Sequence, residues 1–97
     1  MSPGTMLLLH LESRHWTQKD LSEVIGRPMQ AVSEIIHNKK EITRQTAAQL
    51  AAATGTTPEY WLRAQDEHRL WKLEQKEGWF AMLEAIKRRS LGKSKGV

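Results

Sequence analysis

Apolar residues recur along this chain at helical intervals, in short phrases separated by caps and stops. Leu7, Leu8 and Leu11 follow Ser2-Pro3, a capping residue and a proline whose fixed φ suits a first helical turn. The spacing predicts a helix to about Arg14. Thr17 then stands three residues ahead of Asp20, close to a capping box, and the helix it opens places Leu21, Val24 and Ile25 on one face. Gly26 stops that helix. Arg27-Pro28 opens a third phrase, with Ala31, Val32, Ile35 and Ile36 as its stripe and Asn38 as a left-handed stop. A fourth, capped by Thr43, has the small-residue face Ala47, Leu50, Ala51 and Thr54 and ends at Gly55. Thr57-Pro58-Glu59 repeats the cap-then-proline signal before Tyr60, Trp61 and Leu62, the start of a fifth helix. No stretch sustains the alternation of a strand. The expected fold class is all-α: a five-helix domain over residues 1–66, then a C-terminal helical extension over 67–97.

The extension holds two apolar groups, Leu70, Trp71 and Leu73, then Trp79, Met82, Leu83 and Ile86 at i, i+3, i+4, i+7. Gly78 lies between them and costs about 1 kcal/mol against Ala inside a helix, so a break is expected there. From Ser90 onward, Gly, Ser and Lys predict a disordered basic tail.

Composition narrows the function classes. Ninety-seven residues make one small domain with an appendage, which excludes a multidomain enzyme. With no Cys, a disulfide framework and a thiolate zinc site are excluded. No apolar run approaches the roughly 20 residues of a membrane helix. Met1-Ser2-Pro3 lacks the basic opening of a secretory signal, so a cytoplasmic location is expected. His10, His15, His37 and His68 have no metal-ligand spacing. There is no phosphate-cradling glycine loop and no nucleophile motif, so neither an enzyme nor a cofactor is expected. The net charge of +4 comes wholly from residues 67–97, because residues 1–66 hold seven Lys/Arg against seven acids. The basic run from Lys87 to Lys95 reads first as a solvated terminus and only second as a nucleic-acid arm.

Residues 17–38 carry the functional signal. Two short helices joined at Gly26-Arg27 can cross steeply, the first bridging a DNA backbone and the second entering the major groove. Val32, Ile35 and Ile36 can face the core while Met29, Gln30, Ser33 and Glu34 share the opposite arc. Gln can read adenine through its amide, Glu can accept from cytosine N4, and Met can press on a thymine methyl.

These residues resemble a known family. Thr17-Gln18-x-x-Leu21-x-x-x-x-Gly26, followed by Val32-Ser-Glu-Ile-Ile-x-Asn38-Lys39, is similar to the lambda-repressor-like (XRE) helix-turn-helix regulators. Ser33 to Thr43, Ala48 to Ala51 and Gly55 to Leu62 resemble more closely the HigA antitoxins, whose usual His-Pro-Gly-Glu opening is Ser2-Pro3-Gly4-Thr5 here. The resemblance covers roughly residues 2–70 and gives no support after Leu73.

By matched position it implies base readout by Met29, Gln30, Ser33 and Glu34 and phosphate contacts by Gln18, Lys39, Lys40, Thr43 and Arg44. Arg27 joins the phosphate set as a cation at the turn. Residues 27–44 carry a net charge of only +2, so one copy binds weakly and a homodimer on a two-part operator is the physical expectation. Tyr60, Trp61, Leu62, Leu70, Trp71 and Leu73 are the candidate dimer seam, although an aromatic at helical spacing also suits the core. Trp16 reads as a packing wedge. Three functions remain open: an antitoxin that represses its own operon and neutralises a small ribonuclease toxin, a regulator with no toxin, and a protein-interaction adaptor. The Gln30 amide and the Lys39-Lys40 pair argue against the adaptor.

Overall fold

The computed structural model describes residues 1–93. Six helices follow in order: α1 Pro3–Arg14, α2 Gln18–Ile25, α3 Met29–Ile36, α4 Arg44–Thr54, α5 Pro58–Glu74 and α6 Trp79–Gly92. There is no strand among the described residues. The caps read from sequence are made. Ser2, Thr43 and Thr57 each accept at 3.2 Å from the backbone N–H three residues on. Thr17 and Asp20 close a reciprocal box, with Asp20 N–H donating to Thr17 Oγ1 at 3.1 Å and Thr17 N–H to Asp20 Oδ2 at 2.7 Å.

One core serves α1 to α5. Leu7, Leu11, Leu21, Val32, Ile35, Ile42, Leu50 and Trp61 are buried in it, and Ala47 and Ala51 let α5 lie close over α4. Trp16 wedges against this core, with the Arg14 guanidinium 5.8 Å from its ring centre. Arg14 also donates to the Thr54 carbonyl at 2.7 Å, tying the end of α1 to the end of α4. Val24 departs from expectation. It is 53% exposed, because α2 buries Leu21 and Ser22 and turns Ile25, not Val24, against the core in the next turn.

Two contacts position α3. Gly4 packs so tightly on the end of α3 that a Cβ there would lie 2.1 Å from the Ile36 carbonyl oxygen. Asn38, at φ 56°, turns the chain out of α3 as expected, and its side chain grips α1. Its Oδ1 accepts from Gly4 N–H at 3.1 Å, and its Nδ2 donates to Ser2 Oγ at 3.0 Å. The buried Gln65 secures the loop beyond. Its Nε2 donates to the Ile42 carbonyl at 2.7 Å while its Oε1 accepts from the Ile42 N–H.

The extension differs from expectation in three ways. The boundary at 66/67 falls inside α5, which runs unbroken to Glu74, because Asp66-Glu67-His68 supplies neither cap nor stop. Gly78, at φ 79°, does separate α5 from α6. Ser90 to Gly92 are helical, continuing α6; the tail expected beyond Lys93 lies outside the described residues. Helix α6 buries none of its residues. The molecule is therefore elongated, with a radius of gyration of 18.5 Å against about 13 Å for a compact chain of this length.

Candidate nucleic-acid interface

At 100° per residue, Met29, Gln30, Ser33 and Glu34 fall on one arc of α3, opposite the buried Val32 and Ile35. Met29 and Gln30 stand exposed at the start of the helix, while Ser33 and Glu34 are half-buried lower down. The Glu34 carboxylate lies 3.9 Å from Lys40 Nζ, so its charge is directed partly along the protein surface. Its acceptor strength toward a base is reduced to that extent.

His37 was missed from the sequence. It stands four residues after Ser33 and seven after Gln30, and so shares their face. Its Nδ1 donates to the Ser33 carbonyl at 2.8 Å, which leaves Nε2 free at the end of the helix. Helical spacing alone places it there, since Gln30, Ser33 and His37 stand at i, i+3, i+7.

The candidate phosphate-holding residues surround this arc. Lys39, Lys40, Thr43 and Arg44 are exposed after α3, and Gln18 is half-buried at the first turn of α2. Arg27, Glu34, Lys40 and Thr43 line one shallow depression beside α3, so residues from both flanks of the helix meet there. No cluster of three or more His, Asp or Glu suited to a metal occurs among the described residues.

The candidate dimer seam does not form one surface. Trp61 is fully buried in the protomer's own core, with Nε1 donating to Thr56 Oγ1 at 2.8 Å, so it is removed from the seam. It falls on the stripe of α5 that also buries Ala64 and Gln65. Leu62 is half-buried against the same core. Tyr60 faces α1, where its hydroxyl meets His10 Nε2 at 3.0 Å. Trp71 stacks on His68 at 6.0 Å between ring centres. Leu70 and Leu73, three residues apart, share a face and are 50% and 37% exposed.

Comparison with known proteins agrees with this geometry. The helix-turn-helix family model matches residues 9–61, which include all of α2, α3 and α4. The antitoxin HigA-1 of Vibrio cholerae is 42% identical over 73% of this chain and 68% of its own length. An uncharacterized HTH-type transcriptional regulator of Haemophilus influenzae is 34% identical over 70% of this chain. The chain spans just under two thirds of that regulator, 64% of its length. Among solved structures, an addiction module antidote protein of a HigA family from Coxiella burnetii superposes with a TM-score of 0.64 at 28% identity, covering 100% of this chain and 94% of that one. The chain belongs to the XRE-type helix-turn-helix family, with HigA antitoxins among its relatives.

Proposed function

We propose that this protein is a HigA-like antitoxin that represses its own operon by reading operator DNA with α3 and that neutralises a small ribonuclease toxin. The observation that carries the DNA reading is the exposed start of α3. There Met29 and Gln30 project from a helix whose back is locked to α1 by Gly4 and Asn38. Met29, Gln30, Ser33 and Glu34 face base edges; Gln18, Arg27, Lys39, Lys40, Thr43 and Arg44 hold phosphates. The toxin partner rests on the HigA relatives alone. Two of the relatives are known only as regulators, which favours, as a second reading, a repressor without a toxin. The chain works as a binding protein and not as a catalyst, in the cytoplasm, with α1 to the first half of α5 as reading head and the second half of α5 with α6 as an arm.

The protein acts as a homodimer. Leu70, Leu73, Phe80, Met82 and Ile86 are exposed on the second half of α5 and on α6, more apolar surface than a small monomer leaves in water. A two-fold pair through this arm, flanked by Leu62 and Trp71, sets the two recognition helices about 34 Å apart, one turn of DNA.

The test compares a duplex from the promoter of the protein's own gene with a scrambled duplex. Gln30→Ala costs about 1–3 kcal/mol on the promoter duplex and little on the scrambled one, because its amide makes directed bonds to one base. Lys39→Ala weakens both equally, since an ammonium on a phosphate carries no sequence code. If no substitution among residues 29–34 alters sequence preference, α3 is not the reader. Co-expression with the product of the neighbouring reading frame tests the toxin.

A further inference from the structure

Between the loop after α3 and the second half of α5 lies a groove that the recognition helix does not use. Its rim carries Lys39, Lys40, Arg69 and Lys72 with one acid, Glu41, and His68 beside them. Lys39 and Lys40 bring two cations from residues 1–66, which are electrically neutral as a whole, and Arg69 and Lys72 bring two more from the basic stretch beyond. The floor is rigid, built on Ile35, Ile42 and the Gln65 side chain, whose polar atoms are spent on the Ile42 backbone.

The cations differ in their freedom. Arg69 is engaged, its Nε donating to Glu41 Oε1 at 2.9 Å and its Nη2 to the other oxygen, with Asp66 3.5 Å from Nη1. Lys40 lies 3.9 Å from Glu34 but is 72% exposed. Lys39 and Lys72 have no ion pair among the described residues. The His68 pKa is lowered first by burial, and Lys72 and the N-terminal ammonium add to the depression.

We infer that a DNA backbone runs along this groove, so that Lys72 on α5 continues the phosphate track begun by Lys39 and Lys40, while Glu41 holds Arg69 in check. The inference rests on the reading of α3 as the DNA-entering helix. Phosphate oxygens demand charge and little shape, and unpaired ammonium groups on flexible stems from two separate elements meet that demand. Continuity with the loop after α3 favours a nucleic-acid backbone over an acidic peptide as the occupant. The masked guanidinium makes affinity adjustable through one exposed carboxylate.

Because phosphate contacts are independent of sequence, the probe is a fluorescein-labelled mixed-sequence duplex of about three helical turns, titrated at several salt concentrations. Each contact contributes about 0.9 to the slope of log affinity against log salt, so about threefold in affinity for a fourfold change in salt. Lys72→Ala flattens the slope by about one, as Lys39→Ala does. Glu41→Gln removes the two-pronged partner of Arg69 and leaves it only the longer contact with Asp66, which steepens the slope by up to about one and tightens binding up to about threefold at the lower salt, a gain that a misfolded variant cannot imitate. Glu59→Gln, which removes the same charge at the start of α5, leaves the slope unchanged. An unchanged slope in Lys72→Ala, or no tightening in Glu41→Gln beyond that of Glu59→Gln, overturns the inference. If Lys39→Ala still flattens the slope in that case, the assignment of the α3 exit loop survives. If Lys39→Ala and Lys72→Ala are both without effect, that assignment falls as well.

Discussion

His10 sits where α1 meets α5, with a partner at each ring nitrogen. Arg14 can only donate, and its Nη1 lies 3.2 Å from His10 Nδ1, so Nδ1 accepts. The proton is then on Nε2, which donates to the Tyr60 hydroxyl at 3.0 Å. Protonating Nδ1 breaks the Arg14 contact and sets two cations side by side. Burial and then Arg14 accordingly hold the His10 pKa below its ordinary value. A lowered histidine pKa means that the unfolded chain binds more protons, so its stabilisation is present above the unfolded value, about 6.5, and is lost as pH falls toward the folded one. Melting temperature measured from neutral to mildly acidic pH falls less in His10→Gln than in the parent; His68, shifted in the same direction, contributes equally to both. Parallel curves would refute the assignment. The polar arc of α3 was legible because it depends on spacing alone. The Gln65 clamp was not, because it joins residues 23 apart in sequence that only the packing of α5 over α4 brings together. Trp61 was placed at a seam for a similar reason: its helical spacing suits a core and an interface equally, and the fold alone decides.

Among the elements, the helices themselves are the easiest features to read, since four of the six described start with a side-chain bond over three residues and the other two follow Pro28 and Gly78. Packing distance was not readable. Gly4 is a residue that this chain shares with the family's usual opening, and only the contact with α3 shows its use. The Gly4 backbone lies against the Ile35 and Ile36 carbonyls, neither of which can yield. Gly4→Ala therefore forces α1 away from α3, at a cost of about 1–3 kcal/mol or more. The expected result is a lowered melting temperature with DNA affinity reduced beyond the loss of folded protein, because the end of the recognition helix moves with its support. Unaltered stability would mean that α1 and α3 are not in contact at this point. The unbroken length of α5 was hidden by a polar stretch that resembles a linker in composition but contains no stop. An uninterrupted helix needs no signal of its own.

For the whole molecule, the core of α1 to α5 and the arm are energetically separate. Removing residues after Gln75 takes away a helix that buries none of its own side chains, so the melting temperature of the dilute domain changes little. The same truncation weakens the proposed dimer, and Leu73→Glu abolishes it, as sedimentation at micromolar concentration reports. A truncated chain that no longer folds would show that α6 belongs to the core. The shape of the arm could not be read from sequence, because an apolar stripe announces burial without saying against what.

The grip of Asn38 on Ser2 and Gly4 has a practical consequence. The first residues are anchored beside the exit of α3, and Pro3 lines the basic groove, while Met1 projects into solvent, 78% exposed. A purification tag or fusion partner joined ahead of Met1 therefore emerges where the duplex is expected to pass. A polyhistidine leader would add its own charge to the salt dependence, and a bulky one would block the approach. Fusions carried beyond α6 leave that approach open, so the position of the tag decides whether a measured affinity belongs to the protein.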